Sequence, residues 1–177
     1  MQQIVRCIAN LLVRADCRQA LAARNGAPVI VASAAATPGN DGLSAAVARS
    51  LANFSFDHAA QVVHAGGLPP LIAMLSSGSN QLEYEALGAV LNISATTMHT
   101  EALIEHGVLG PLTAIQNRDD NTTLQEQAVL ILVNIAHHDA TVMDSYAGLP
   151  NVESASASAA GFPARELADG AEVEPSA

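Results

Sequence analysis

Residues 85–92 read Glu-Ala-Leu-Gly-Ala-Val-Leu-Asn, the best-formed of four copies of one pattern. The other copies are residues 4–12, 47–55 and 128–136. Their asparagines fall at positions 10, 53, 92 and 134, so the spacings are 43, 39 and 42. Glycines at positions 26, 66, 107 and 148 keep spacings of 40, 41 and 41. Two independent markers with one period of about 40 residues indicate a repeat array.

The copies, aligned on the asparagine, share apolar residues at helical spacing. Three columns result: Ile4, Val47, Ala86 and Ala128; Ile8, Leu51, Val90 and Leu132; and Leu11, Phe54, Ile93 and Ile135. At 100° per residue these columns occupy one face of a helix, and the asparagine lies off that face. One such helix cannot bury its apolar stripe alone, so we expect successive units to stack into a continuous core.

The pattern between the copies predicts three kinds of helix in each unit. Long helices carry the asparagine and are predicted over residues 1–13, 43–55, 82–95 and 123–136. Short helices that end at an Asn-Gly or glycine turn are predicted over residues 15–25, 58–65, 98–106 and 139–147. Helices that begin near a proline are predicted over residues 28–36, 68–75 and 112–116. Thr123 and Glu126 have the spacing of a capping box for the last long helix.

The amino-acid composition and the net charge disfavour several classes of function. The 177 residues are 50% hydrophobic but only 3% aromatic, with no Trp, so the interior must consist of Ala, Leu, Val and Ile. The net charge of −10 does not favour sequence-independent nucleic-acid binding. No signal peptide is evident, and the longest apolar run, residues 27–36, is half the roughly 20 residues that span a bilayer. Cys7 and Cys17 are expected to be free thiols, which favours a cytoplasmic location, nuclear or membrane-peripheral only through partners.

The combination of these features resembles the armadillo repeat family over residues 1–150. The resemblance is carried by the three-helix unit, the run Gly-Gly-Leu-Pro-Pro-Leu-Ile-Ala-Met-Leu-Ser-Ser at 66–77, and the runs at 88–94 and 131–136. It implies an all-α fold, a right-handed α-solenoid of about three full repeats with partial repeats at both ends. The predicted units are 26–65, 66–106 and 107–147, after a partial repeat at 1–25. The third copy is similar to the vacuolar armadillo proteins of fungi and their protist and plant relatives.

The resemblance also implies a binding groove. Long helices of armadillo proteins line a concave groove that commonly holds an extended peptide of a partner. The family's groove asparagine matches Asn10, Asn53, Asn92 and Asn134 in this chain. Amides at regular intervals suit an extended chain, because peptide groups recur along it. Each asparagine also has a structural alternative, in which it bonds its own backbone or the next repeat.

The predicted groove differs from the importin-type and catenin-type grooves of armadillo proteins. Four residues before each asparagine, where importin-type grooves carry Trp, stand Arg6, Arg49, Gly88 and Leu130. Nuclear-signal binding through an aromatic clamp is therefore not expected. Eight residues before the last two asparagines stand Tyr84 and Glu126, so a groove that is mildly basic at first and neutral to acidic later is expected.

No residue pattern indicates catalysis, a cofactor or a metal. His58, His64, His99 and His106 lie about one repeat apart, in or beside successive short helices, and form no i, i+4 pair. The histidines at 137 and 138 suit the C-terminal end of a long helix. A phosphate-binding loop and a nucleophile turn are both missing from the sequence. The chain is therefore predicted not to be an enzyme.

Residues 151–177 break the repeat pattern. They are acidic and of low complexity, and a disordered tail is predicted because their apolar surface is too small to offset ordering entropy. Both ends of the array are ragged, which indicates a piece of a longer array, end-to-end self-association or a marginally stable domain.

Two functions remain open at this level. The first is a protein-binding scaffold or adaptor that holds an extended segment of a partner. The second is a structural repeat segment with no ligand of its own, such as part of a ubiquitin-ligase substrate-binding region.

Overall fold

The computed structural model describes residues 2–35, 41–118 and 121–139. All regular structure in these three ranges is helical. The α-helices are α1 (Gln2–Leu11), α2 (Ala15–Ala22), α3 (Ala27–Ala35), α4 (Asp41–His64), α5 (Leu68–Leu75), α6 (Asn80–Ser94), α7 (Thr100–Glu105), α8 (Leu109–Gln116) and α9 (Thr122–His138). A short 3-10 helix, Thr97–His99, precedes α7. The helix predicted at 139–147, the loop carboxylates at 119 and 120, and the tail at 151–177 lie outside the described residues, except for residue 139.

The long helices stack side by side in chain order. α4 packs against α1 and α6, and α6 packs against α9. The proline-started helices α3, α5 and α8 cover α4, α6 and α9 respectively. The long helices α4, α6 and α9 thus each have a long neighbour along the array and a short helix across the apolar face. This repeated arrangement confirms the predicted α-solenoid.

The apolar columns form the core in the interior of the array. Val47, Leu51 and Phe54 on α4 are fully buried, and so are Val90 and Ile93 on α6. The core is contiguous from Val5 on α1 to Ala136 on α9. Small residues such as Ala86 and Ala128 in these columns let the stacked helices approach closely.

Turns between short helices follow the glycine markers, with one correction. Gly66 (φ 77°) and Gly107 (φ 79°) adopt the left-handed conformation that ends a short helix. At the first turn, however, the left-handed residue is Asn25 (φ 50°) and not the predicted Gly26. Gly26 is required for space instead, because an added Cβ would lie 2.2 Å from Leu21 Cδ1.

Residues 43–65 form the two helices that were predicted, and these helices meet directly at His58 with no loop between them. α4 continues from Asp41 to His64, and His58 alone departs from helical geometry, with φ −132° and ψ 38°. Neither Gly nor Pro occurs between residues 43 and 64, so no residue forces the helix to end. The boundary between the long and short parts is therefore a kink at His58, without a loop.

The predicted capping box of α9 is wrong. Asn121 is the N-cap, and its side-chain oxygen accepts a hydrogen bond of 3.3 Å from the Leu124 N–H. Thr123 lies inside the first turn of α9. Asparagine is among the strongest N-cap residues, and it stands one residue before the helix begins.

Candidate functional site

The asparagine ladder comprises Asn10, Asn53, Asn92 and Asn134, one on each of the helices α1, α4, α6 and α9. Because these four helices are stacked neighbours, the ladder crosses the array from one long helix to the next. Asn10 is exposed, and the other three asparagines are half-buried. We call the surface that carries them the ladder surface.

The ladder asparagines hold adjacent long helices together. Asn53 Nδ2 donates to the Ala9 carbonyl oxygen at 2.8 Å, and Asn92 Nδ2 donates to the Ala52 carbonyl oxygen at 2.9 Å. Asn134 Nδ2 donates to Ser94 Oγ at 3.1 Å. Each bond therefore reaches back to the preceding long helix.

These bonds do not exhaust the hydrogen-bonding groups of the asparagines. A side-chain amide offers two N–H donors and a carbonyl oxygen with two lone pairs. Asn92 Nδ2 has a second acceptor inside the fold, Ser55 Oγ at 3.3 Å, so a further peptide group would meet the carbonyl oxygen of this amide through its own N–H. For Asn53, Asn92 and Asn134 the structure thus supplies the between-repeat contact of the structural alternative.

Arg49, predicted as a groove residue, forms an ion pair between two repeats. Its Nε and Nη2 atoms lie 2.8 Å and 2.5 Å from Glu85 Oε1 on α6. Glu85 is buried, whereas the Arg49 side chain is 46% exposed. The fold thus compensates the positive charge that the sequence places in the first half of the groove. Arg49 and Glu85 are 36 residues apart in sequence. This separation, close to one repeat, is the sequence signal from which the pair could have been predicted.

The remaining predicted groove residues differ in exposure. Glu126 on α9 is exposed, and Gly88 on α6 is half-buried. Tyr84 is half-buried and packs against the hydrophobic core. Leu130 is only 5% exposed, so its side chain lies beneath the surface that the other residues share.

Two further ion pairs connect repeats, and the sequence analysis missed both. The Glu83 carboxylate, 1% exposed, pairs with Arg118 Nη2 and accepts bonds from Arg118 Nη1 at 3.1 Å and from the Gly78 N–H at 3.0 Å. Arg18 Nε donates to Asp57 Oδ2 at 2.6 Å. The separations in sequence, 35 and 39 residues, are close to one repeat and were the available signal.

Arg18 also closes the end of α1. Its Nη1 donates to the carbonyl oxygens of Leu12 at 3.1 Å and Val13 at 2.6 Å. These carbonyls follow the last turn of α1, where the helix cannot supply its own donors. A single buried guanidinium therefore ties α1, α2 and α4 together.

His99 is buried, and its surroundings alter its titration. Burial, and secondarily the positive charge of His64, lower the pKa of His99 from its ordinary value. Within the described ranges, no group of three or more His, Cys, Asp or Glu side chains has an arrangement that could hold a metal ion. A search of the same ranges for a helix both long and apolar enough to cross a bilayer found none.

Comparisons with known proteins agree with this architecture. The Armadillo/beta-catenin-like repeat family matches residues 55–95. Vacuolar protein 8 of Candida albicans is 34% identical over 88 residues, which are 50% of this chain and 15% of that protein. Vacuolar protein 8 of Saccharomyces cerevisiae is 32% identical over 76 residues, 43% of this chain and 13% of that protein. The chain thus spans a small part of the length of both relatives.

Solved structures share the fold at low sequence identity. A designed armadillo repeat protein in complex with peptide (KR)4 matches with a TM-score of 0.71 and 22% identity, covering 81% of this chain and 61% of that chain. A second designed armadillo repeat protein matches with a TM-score of 0.73 and 21% identity, covering 88% of this chain and 64% of that one. Together with the stacked helices of the described residues, these findings show that the chain has the armadillo-type α-solenoid fold and that residues 55–95 match the armadillo repeat in sequence.

Proposed function

We propose that this chain is a non-catalytic scaffold or adaptor that holds an extended segment of a partner protein along the ladder surface. The observation that carries this proposal is the register of the amides. Asn53 and Asn92 bond backbone carbonyls of the preceding long helix at 2.8 Å and 2.9 Å, so both amides present the same geometry one repeat apart.

The spacing of the ladder suits an extended peptide. Packed helices lie about 8–10 Å apart, and an extended chain advances about 3.3 Å per residue. One ladder amide therefore recurs for roughly every two to three residues of an extended partner. Hydrogen bonds from the ladder amides to the partner's backbone would give affinity. Contacts with the partner's side chains between these amides would give selectivity.

A protein of the same fold supports this mode of binding. The designed armadillo repeat protein described above was solved with peptide (KR)4. The present chain contains no Trp, so its proposed partner is not held by an aromatic clamp, and nuclear-signal recognition forms no part of the proposal. A partner that is protein and not nucleic acid is consistent with the net charge of −10.

The proposal includes a reducing, cytoplasmic site of action. Cys7 and Cys17 are free, as is usual for thiols in a reducing compartment. The division into units 26–65, 66–106 and 107–147 is part of the proposal, and it predicts that truncation between units preserves the remaining fold.

The test is binding of extended peptides by the full chain. An array of eight-residue peptides that includes (Lys-Arg)4 is titrated by fluorescence anisotropy against wild type and the Asn53→Ala/Asn92→Ala variant. We expect the double variant to lose at least tenfold in affinity, because two backbone-directed amides are removed. Asn80→Ala, an exposed asparagine at the start of α6 and off the ladder, is the matched control.

Stability must be measured in parallel, because the ladder asparagines also join repeats. If the double variant remains folded at the assay temperature and binds as wild type does, the ladder is not the binding surface. If no peptide of the array binds wild type, the proposed function is wrong.

A second candidate function is a structural repeat segment without a ligand of its own. It is favoured by the same hydrogen bonds, since Asn53, Asn92 and Asn134 already bond inside the fold. It also accommodates the exposed apolar side chains of Ile4 and Leu11 on α1, which end-to-end association would cover. Sedimentation equilibrium distinguishes the two: concentration-dependent association that Ile4→Ser/Leu11→Ser abolishes favours this candidate.

A further inference from the structure

An apolar stripe on α1 stays exposed. Its members are Ile4, Cys7 and Leu11, and their i, i+3 and i+7 spacing places them on one face of the helix. Ile4 and Leu11 are large apolar side chains at the surface, and Cys7 is a free, exposed thiol, which behaves as a small apolar residue. We call these three residues the α1 stripe.

The other long helices show what packs on the equivalent stripe. Counted from the ladder asparagines, the positions that correspond to the α1 stripe are fully buried on α4, α6 and α9: Val47, Ser50 and Phe54; Ala86, Ala89 and Ile93; and Ala128, Ile131 and Ile135. A proline-started helix of eight or nine residues packs against each of these long helices, α3 on α4, α5 on α6 and α8 on α9. The equivalent face of α1 therefore suits an apolar helix of about two turns.

The charge around the α1 stripe differs in sign from that of the remaining chain. Residues 1–35 contain four Arg and one Asp, a net charge of +3, whereas residues 36–177 contain three Arg and sixteen Asp or Glu, a net charge of −13. Arg14 and Arg18 belong to ion pairs, which leaves Arg6 and Arg24 without a carboxylate partner among the described residues. A segment with acidic residues beside its apolar face is therefore attracted to this end of the array, and a basic segment is repelled.

A second copy of this chain does not supply the required helix. Its proline-started helices α3, α5 and α8 already pack on α4, α6 and α9. Two α1 stripes that faced each other would bring two regions of positive charge together, which is unfavourable. Within the described residues, neither α8 nor α9 exposes a large apolar side chain, so those helices of a second copy offer no apolar surface to the stripe.

We propose that the α1 stripe docks an amphipathic helix of a partner protein, about two turns long, with an apolar face and acidic flanks. The helix packs across Ile4, Cys7 and Leu11 as α5 packs across α6, and the positive charge of residues 1–35 attracts its acidic flanks. The ladder asparagine of α1, Asn10, lies outside the stripe. The inference therefore goes beyond the proposed function and does not depend on it.

The sequence of α5 provides the probe, because α5 packs on the equivalent stripe of α6. The acidic peptide is Glu-Glu-Leu-Pro-Pro-Leu-Ile-Ala-Met-Leu-Glu-Glu, which is residues 68–75 with two Glu at each end. The basic peptide carries Lys in place of each Glu. Both are titrated against the full chain by fluorescence anisotropy at about 150 mM salt, where long-range attraction is screened. We expect saturable binding of the acidic peptide and about fivefold weaker binding of the basic peptide.

Ile4→Ser/Leu11→Ser tests the stripe. Affinity for the acidic peptide falls by about tenfold or more, because both large apolar contacts are lost. Tm stays near that of wild type, since both side chains are exposed in the free chain. Met98→Ser is the matched control, because it removes an exposed apolar side chain away from α1. It leaves affinity within about twofold of wild type.

Cys7 reports where the peptide binds. In a Cys17→Ser background Cys7 is the only thiol, and its reaction with iodoacetamide is followed by mass spectrometry. Saturating acidic peptide covers the thiol and slows this reaction by about tenfold or more, whereas the basic peptide at the same concentration slows it less. An unchanged rate at saturation places the peptide on another surface and overturns the proposal.

The remaining outcomes are equally decisive. Absence of acidic-peptide binding, equal affinity for the acidic and basic peptides, or unchanged affinity in Ile4→Ser/Leu11→Ser overturns the proposal. Concentration-dependent association of wild type that the double variant abolishes in sedimentation equilibrium also overturns it, because the stripe then docks a second copy. Binding of (Lys-Arg)4 along the ladder is expected to persist in the double variant, so failure of this inference leaves the proposed function standing.

Discussion

The first long helix and the interior long helices carry the same apolar columns in opposite environments. Leu11 on α1 is 54% exposed, whereas Phe54 and Ile93 in the same column are fully buried. Ile4 is 62% exposed, whereas Val47 in its column is fully buried. The difference arises because α3 and α5 cover α4 and α6, and no described helix covers the corresponding face of α1.

This comparison shows that the repeat pattern decides which residues are able to enter the core, while neighbouring units decide which residues do so. In a solenoid each unit contacts only its neighbours, so stability is close to a sum of unit and interface contributions. Substitutions in one column should therefore have effects that follow burial and not residue type. The predictions below run from the largest expected effect to the smallest.

Ile93→Ala is expected to lower the free energy of unfolding by about 3 kcal/mol, because it empties a fully buried position. Leu11→Ala, in the same column on α1, should cost only about 0.5 kcal/mol, as for other exposed positions. Urea denaturation monitored by circular dichroism measures both. Equal losses in the two variants would show that the face of α1 is covered in solution.

Glu83→Gln is expected to lower the free energy of unfolding by about 2 kcal/mol, because it weakens bonds to a buried, charged acceptor. The Arg118 side chain is 31% exposed, so water partly solvates its charge and limits the loss. The control is Asp16→Asn, which breaks the exposed pair between Arg14 and Asp16 and should leave stability unchanged. A comparable loss in the control would mean that burial does not govern these pairs.

Gly88→Ala is expected to raise the free energy of unfolding by about 0.5–1 kcal/mol, since alanine is the better helix former. The added Cβ meets Ala52 at an ordinary distance, so no strain opposes this gain. Thermal melting measures the change. Destabilisation would show that position 88 is more tightly packed than the distance to Ala52 indicates.

The smallest expected effect is a pH dependence of stability. The pKa of His99 is lowered in the folded chain, so the unfolded chain takes up the proton first as pH falls below about 6.5. Stability conferred by neutral His99 is therefore present above that pH and is progressively lost below it.

The measurement is urea denaturation at intervals between pH 7.5 and pH 5. His99→Gln should reduce the slope of stability against pH, and His106→Gln, at an exposed position on the neighbouring turn, should keep it. A slope that is the same in wild type and His99→Gln would assign the pH dependence to other groups.

Much of the fold was predictable because packing follows the repeat period. α5 has the predicted limits, residues 68–75, and α6 begins only two residues before the predicted start. One wrong prediction concerns a position where two neighbouring residues are both able to cap the same helix. Asn121 and Thr123 are both cap formers, and the sequence pattern does not determine which of them starts α9.

The site was less predictable than the fold. The ladder asparagines were identified by their spacing, but spacing does not determine which acceptor each amide finds. Pairs such as Arg49 with Glu85 depend on how far a long side chain reaches across an interface.

The most direct test of peptide binding along the ladder is the side-chain amide spectrum of the asparagines during titration with the tightest-binding octapeptide. We predict that the Nδ2 proton resonances of Asn53 and Asn92 shift on binding, while those of Asn80 do not. Saturable binding with unchanged Asn53 and Asn92 resonances would contradict the account, because the partner would then lie on another surface.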